Sequence, residues 1–139
     1  MPKILVTRRT FSEAAQALRA SGAEVVIWED ADAPSQDDLI AAVADVDGLY
    51  AHITNQVTAE VMDAAPNLKV IAEFGVGYDN IDIAAANERG IAVCNTPGIL
   101  SESTADEAFA LLASMARRTN DLPAMVKRGE WGDFDPLGY

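Results

Sequence analysis

The sequence predicts an α/β fold, a five-stranded parallel sheet with helices on both faces. Short runs rich in β-formers alternate with amphipathic helical segments as far as Asn95. Helix-capping residues and Gly or Pro stops punctuate the segments. The chain has 139 residues, half of them hydrophobic. That suffices for one buried core, at about 150 residues per domain.

Lys3 to Thr7 reads as a buried first strand. Ser12 is placed to cap a helix through Ser21, with Ala14, Ala17 and Leu18 on one face and Gly22 as its stop. Glu24 to Trp28 is the second strand. Pro34-Ser35 opens the second helix, where Ser35 and Asp38 resemble a capping box and Leu39, Ile40 and Val43 form the apolar stripe. Gly48 to Ala51 is the third strand. Thr58 caps a helix through Ala65 that buries Val61 and Met62, and Pro66 stops it. Leu68 to Phe74 is the fourth strand. Asp82 caps a helix through Arg89, Gly90 ends it, and Ile91 to Val93 is the fifth strand. Five strands joined by helices imply parallel pairing with right-handed crossovers. The order 2-1-3-4-5, the flavodoxin-like arrangement, is the expected topology.

Beyond Asn95 the pattern changes. Asn95-Thr96-Pro97-Gly98 is a turn, and Ser103 to Arg118 carries the longest helical pattern, with Ala105, Ala108, Phe109, Leu112, Met115 and Ala116 at helical spacings. This helix is surplus to a sheet that is already complete. It is expected either as core or as a surface against another domain or another copy, which gives self-association through 103–118.

Charge and composition exclude several classes. Ten basic against 22 acidic residues give a net charge of −12. Nucleic acid and anionic membrane surfaces are therefore poor partners. No apolar run reaches the ~18 residues of a membrane span, and the first residues lack the apolar core of a secretory signal. Cys94 is the single cysteine, so neither an internal disulfide nor a multi-thiolate zinc site is possible. A cytoplasmic protein is expected.

In open parallel sheets ligands bind beyond the carboxyl ends of the strands. Those ends carry Thr7, Arg8 and Arg9; His52 and Thr54; Gly75 to Asn80; and Asn95 with Thr96. Phe74-Gly75-Val76-Gly77 is the sharpest feature. Two glycines around one apolar residue suit an anion-binding nest of backbone N–H groups, and equally a plain tight turn. Arg8, Arg9 and His52 on the same rim would favour a small carboxylate. The stretch is neither a dinucleotide fingerprint, since the sixth position is Asn80, nor a Walker loop. His52 is the lone histidine, and no carboxylate neighbours it in sequence. Cys94 is expected as a core thiol. The acidic run 29–32 lacks metal-loop spacing, and Asp106 and Glu107 suit the start of a helix. A phosphoacceptor receiver domain would need acids where this chain has Thr7 and Ala51. A flavin site would need glycine within 7–10, where there is none.

Phe74-Gly75-Val76-Gly77-Tyr78-Asp79-Asn80-Ile81-Asp82, the run Gly90 to Gly98, and Ser103-Thr104-Ala105-Asp106-Glu107-Ala108 together resemble the D-isomer-specific 2-hydroxyacid dehydrogenases. Val6-Thr7-Arg8-Arg9 and Gly129-Glu130-Trp131 are most similar to the glyoxylate/hydroxypyruvate reductase branch. The resemblance implies a substrate domain over 1–98, lacking its C-terminal return helix. Over 99–139 it implies a linker and the first helices of a Rossmann cofactor domain. It implies hydride transfer between NAD or NADP and a small 2-oxo or 2-hydroxy acid. Gly75, Val76 and Gly77 would hold the substrate carboxylate. Tyr50, His52 and Leu100 would lie beside the substrate, and Thr104 beside the nicotinamide. The long helix would help form a dimer.

In the family a G-x-G-x-x-G follows a Leu-Gly-Tyr like Leu137-Gly138-Tyr139, and the catalytic arginine, glutamate and histidine lie further on. This chain carries no residue assignable to those three roles, and His52 does not match the catalytic histidine. By itself it is expected to be catalytically inert and to bind no cofactor tightly, with the Rossmann domain as its missing partner. The alternative is a stand-alone carboxylate-binding or oligomerisation module.

Overall fold

The computed structural model describes residues 1–133, so Leu137-Gly138-Tyr139 lies outside the described residues. The chain forms two compact units, Met1–Ile99 and Leu100–Tyr139.

In the first unit the strands are β1 (Lys3–Val6), β2 (Glu24–Ile27), β3 (Gly48–His52), β4 (Val70–Phe74) and β5 (Ala92–Cys94). The intervening helices are α1 (Ser12–Ala20), α2 (Gln36–Ala42), α3 (Ala59–Asp63) and α4 (Ile83–Glu88). All pairings are parallel, in the order β2-β1-β3-β4-β5, as the sequence predicts. The chain leaves β1 toward one edge and returns past it to β3. Right-handed crossovers therefore put α1 and α2 on opposite faces.

The period-two alternation of a strand fixes which residues share a face. Leu5, Leu49, Ala51 and Ile71 point to the side where Leu39 and Val43 of the α2 segment, Val61 and Met62 of α3, and Ala85 and Ala86 of α4 close the core. Each fully buried Val or Leu there contributes about 1.5–3 kcal/mol. Thr7 and Glu73 fall on the same face and are also buried. The opposite face of β3 and β4 carries Tyr50 and Phe74, which are only partly covered.

Three helix starts follow their caps. The Ser35, Thr58 and Asp82 side chains accept from the backbone N–H groups of Asp38, Val61 and Ala85. Such caps stabilise by about 0.5–2 kcal/mol each. The first helix corrects the reading from sequence. Phe11 is its N-cap, with no side-chain bond, and Ser12 sits inside the helix with its hydroxyl on Glu13. Its buried residue is Ala15, while Ala17 is exposed. Gly22 and Gly90 adopt φ of +83° and +66°, the left-handed conformation that ends a helix. Cys94 is exposed rather than a core thiol. It ends β5, a three-residue edge strand paired on one side only.

The second unit holds α5 (Ser101–Ala116) and α6 (Asp121–Lys127). The long helix begins at Ser101, two residues before the expected Ser103, with Leu100 as an N-cap that makes no side-chain bond. None of its residues is buried. Phe109, Leu112 and Met115 are 71%, 66% and 80% exposed, so the stripe is not a core among the described residues. No helix among the described residues is long and apolar enough to cross a membrane.

Candidate functional site

Tyr50 and His52 stand two residues apart on β3 and so face the same way. The register sets Tyr50 beside Ala72 and His52 beside Phe74. The Phe74 ring is the hub of the rim. His52 stacks on it at 6.2 Å, and Tyr50 and Phe11 meet it edge-on at 5.9 and 6.2 Å. Arg8, Arg9, Tyr50, His52 and Phe74 line one shallow pocket, which brings the basic residues and the histidine together as the sequence suggests. Arg9 is tethered, its Nε donating to the Glu29 carbonyl at 3.0 Å. His52 Nδ1 lies 3.0 Å from Thr54 Oγ1 and accepts from the Thr54 N–H at 3.4 Å, which assigns the neutral ring's proton to Nε2. Burial, and then the Arg8 charge, push the His52 pKa below 6.5, so the ring is neutral at pH 7.

The loop after β4 presents two backbone donors. Thr96 N–H donates to the Gly75 carbonyl at 2.9 Å, and the Asn95 side-chain amide donates to the Val76 carbonyl at 2.8 Å. Every peptide among the described residues is trans, so each carbonyl and the N–H that follows it point in opposite directions. The Val76 and Gly77 N–H groups are therefore turned away from the end of β5. Among the described residues, neither donates to any protein acceptor. A pair of neighbouring free N–H groups suits a carboxylate, whose two oxygens accept in parallel.

This arrangement corrects the expected nest. Neither Gly75 nor Gly77 takes a positive φ, so no alternation of backbone handedness points the donors outward. The latches on Asn95 and Thr96 do so instead. Glycine contributes room. A Cβ at Gly77 would meet only Asp79 Oδ2, at 3.9 Å.

Below the loop lies a buried polar chain that sequence reasoning missed. The His52 N–H donates to Thr7 Oγ1 at 3.0 Å, and Thr7 Oγ1 donates to Asn55 Oδ1 at 2.6 Å. Asn80 Nδ2 donates both to the Asn55 carbonyl at 2.9 Å and to Glu73 Oε2 at 3.0 Å. Thr7, Asn55, Glu73 and Asn80 are at most 7% exposed. Burial pushes the Glu73 carboxyl above its usual pKa of 4.5, and the Asn80 bond opposes that shift. A signal existed in the sequence. Glu73 lies two residues after Ile71 in an otherwise apolar strand, and so shares its inward face.

Tyr50, His52, Gly75, Val76 and Gly77 thus share the carboxyl edge of β3 and β4. Leu100 and Thr104 belong to the second unit, where the Thr104 N–H donates to the Leu100 carbonyl in the first turn of α5.

The first unit does not fit the pyrophosphate of a nicotinamide cofactor. The loop runs into a turn at Asp79–Asn80 rather than directly into a helix. The helix that follows starts behind Asp82, whose carboxylate already takes the Ala85 N–H at 2.9 Å and sets a negative charge where a phosphate would sit.

The chain is similar to known proteins in sequence and in fold. A glyoxylate reductase of Thermococcus litoralis is 44% identical over 130 residues, covering 94% of this chain and 39% of the relative. A glyoxylate reductase of Korarchaeum cryptofilum is 43% identical with the same coverage. The chain therefore spans about two fifths of the length of these curated relatives. Among solved structures, a protein of Thermus thermophilus superposes with a TM-score of 0.86 at 40% identity, covering 98% of this chain and 43% of that one. The NADPH-dependent glyoxylate/hydroxypyruvate reductase of Sinorhizobium meliloti, solved with NADP and malonate, superposes at 0.72 with 33% identity, covering 99% of this chain and 43% of that one. A family model for the D-isomer specific 2-hydroxyacid dehydrogenase catalytic domain matches residues 4–128, and the chain belongs to that family.

Proposed function

We propose that this chain supplies the substrate-carboxylate side of a reductase for small 2-oxo acids of the glyoxylate and hydroxypyruvate class. The observation that carries the reading is the pair of free N–H groups at Val76 and Gly77, latched outward by Asn95 and Thr96. In this reading Gly75, Val76 and Gly77 hold the carboxylate, and Tyr50 and His52 flank the rest of the acid. Leu100 lies beside the substrate and Thr104 beside the nicotinamide once a cofactor domain completes the site. The substrate domain runs over 1–98, and 99–139 begins the cofactor domain. The second unit exposes Phe109, Leu112 and Met115, which suits pairing with another copy through 103–118.

A complete enzyme of this kind draws hydride from NADH or NADPH. The first unit does not fit the cofactor's pyrophosphate, and no residue of the chain is assigned proton transfer. Orientation, charge stabilisation and proton transfer are the large terms of catalysis. Of these the chain supplies only carboxylate binding, so it turns over no 2-oxo acid by itself.

Two measurements on the purified chain test this. Titration with glyoxylate, followed by amide NMR, should shift the Val76 and Gly77 resonances first. NADH and NADPH oxidation with glyoxylate or hydroxypyruvate should stay at background. Clear turnover would overturn the assignment of catalysis elsewhere, and the absence of any shift at Val76 and Gly77 would overturn the carboxylate reading. The cofactor misfit also favours a second reading, a non-catalytic carboxylate-binding module. Micromolar affinity for glyoxylate would favour that module over half of an enzyme site.

A further inference from the structure

The buried polar chain under the loop does more than fill space. Glu73 is 2% exposed, on a core face otherwise made of Leu49, Ala51 and Ile71. An apolar residue there would cost less, because a buried carboxyl oxygen without a partner carries a desolvation penalty. Glu73 Oε1 is such an oxygen, with no hydrogen-bond partner. It lies directly beneath the loop, 3.5 Å from where a Cβ on Gly75 would stand. The other oxygen, Oε2, accepts from Asn80.

Asn80 joins two segments that the sheet leaves separate. Its Nδ2 holds the Asn55 carbonyl after β3 and the Glu73 carboxyl at the end of β4. Both partners are acceptors, which identifies the atom between them as the nitrogen. Its backbone carbonyl accepts the Val57 N–H at 2.8 Å, and the Asp82 N–H donates to the Val57 carbonyl at 3.0 Å. Through Asn55 Oδ1 and Thr7 Oγ1 the same network reaches the His52 N–H.

We propose that Asn80, braced by the Glu73 carboxyl, is the positioning residue of the carboxylate loop: it clamps the segment after β4 to the segment after β3 and fixes the Val76 and Gly77 donors relative to His52. The proposal deepens the carboxylate reading and rests on it. A clamp of this kind touches no substrate. It sets where the donors stand, and binding responds steeply to small displacements of preorganised groups.

The test compares Glu73→Gln with Glu73→Leu in the full chain. Glutamine keeps an acceptor for Asn80, whereas leucine fills the volume and removes the acceptor. Two readouts separate positioning from packing. One is hydrogen exchange at Val57, Asp82 and Thr96, whose N–H groups are bonded across the loop, against Leu5 in β1 as the global reference. The other is glyoxylate affinity by NMR titration. The clamp predicts that Glu73→Gln stays within about twofold of the parent on both. In Glu73→Leu the three loop amides should exchange about tenfold faster while Leu5 is unchanged, and glyoxylate affinity should fall about tenfold. A Glu73→Leu chain that matches the parent in exchange and affinity would overturn it. So would a loss at Leu5 as large as that in the loop, which is a folding defect. If Glu73→Leu does not fold, Asn80→Ala removes the donor of the same bond and is read in the same way. A parent chain that binds no glyoxylate sinks the carboxylate reading, and the exchange comparison then decides the clamp alone.

Discussion

The Asn95 side-chain amide donates to the Val76 carbonyl at 2.8 Å across the ends of β4 and β5. This bond turns a peptide so that its N–H, on Gly77, faces solvent instead of the protein. Asn95→Ala removes the donor and leaves the backbone nearly as it is. Because the bond is exposed, the stability loss should be about 0.5–1 kcal/mol, near the net worth of one hydrogen bond. Glyoxylate affinity should fall further, by about five- to tenfold, since the free peptide can rotate. A calorimetric melt and an NMR titration check both, and unchanged affinity would remove the latch from the site.

Glu73 makes stability depend on pH. Burial raises its folded-state pKa above the ordinary 4.5. Between those two values the folded chain holds a proton that the unfolded chain has released, so stability falls as pH rises through that window. Glu73→Gln cannot ionise. Its melting temperature relative to the parent should therefore climb as pH rises above 4.5 and level off once the folded chain has ionised as well. A constant difference across that range would show that Glu73 ionises freely.

What the sequence reveals depends on how far each interaction reaches. Ser35, Thr58 and Asp82 announce their helices because a cap acts through its own neighbours. The strand order is legible because crossover handedness leaves few topologies. Ser12 misleads because its cap preference is local, while Phe11 is held extended with its ring against Phe74. The conformation of Gly75-Val76-Gly77 is not legible, because Asn95 and Thr96 impose it from the next strand. Glu73 shows its role only once the register places it under the loop, within reach of Asn80.

His52 titrates in the opposite sense to Glu73. Burial and then Arg8 lower its pKa below 6.5, so the fold favours the neutral ring. Its contribution to stability is present above 6.5 and is lost as pH falls through the folded value. Arg8→Ala should move the titration midpoint up toward 6.5, seen in the pH dependence of the imidazole carbon-bound protons. An unmoved midpoint would take Arg8 out of the rim's electrostatics.

Phe74 holds the rim through contacts with Phe11, Tyr50 and His52 while itself 44% exposed. Aromatic pairs contribute about 0.5–1.5 kcal/mol each, and exposure puts these at the low end. Phe74→Leu should cost about 1–2 kcal/mol in a denaturant titration. The resonances of Tyr50 and His52 should broaden or shift while those of β1 hold. A variant with unaltered Tyr50 and His52 signals would mean that the rings order themselves without their hub.

The α5 stripe supports the remaining prediction. Phe109, Leu112 and Met115 recur at helical spacing and are at least 66% exposed. A spacing of three positions puts neighbours in the stripe along one side of the helix. An apolar stripe of this size on a soluble helix usually finds a partner. Self-association through 103–118 predicts that the chain sediments as an oligomer and that Leu112→Asp shifts it to monomer, because a desolvated carboxylate at the seam has nothing to pair with. Leu112 packs on no core among the described residues, so the far-ultraviolet circular dichroism of the variant should match the parent. A Leu112→Asp chain with the parent's sedimentation coefficient would place the interface elsewhere. A parent that is already monomeric at high concentration would leave the stripe without a partner in another copy of this chain.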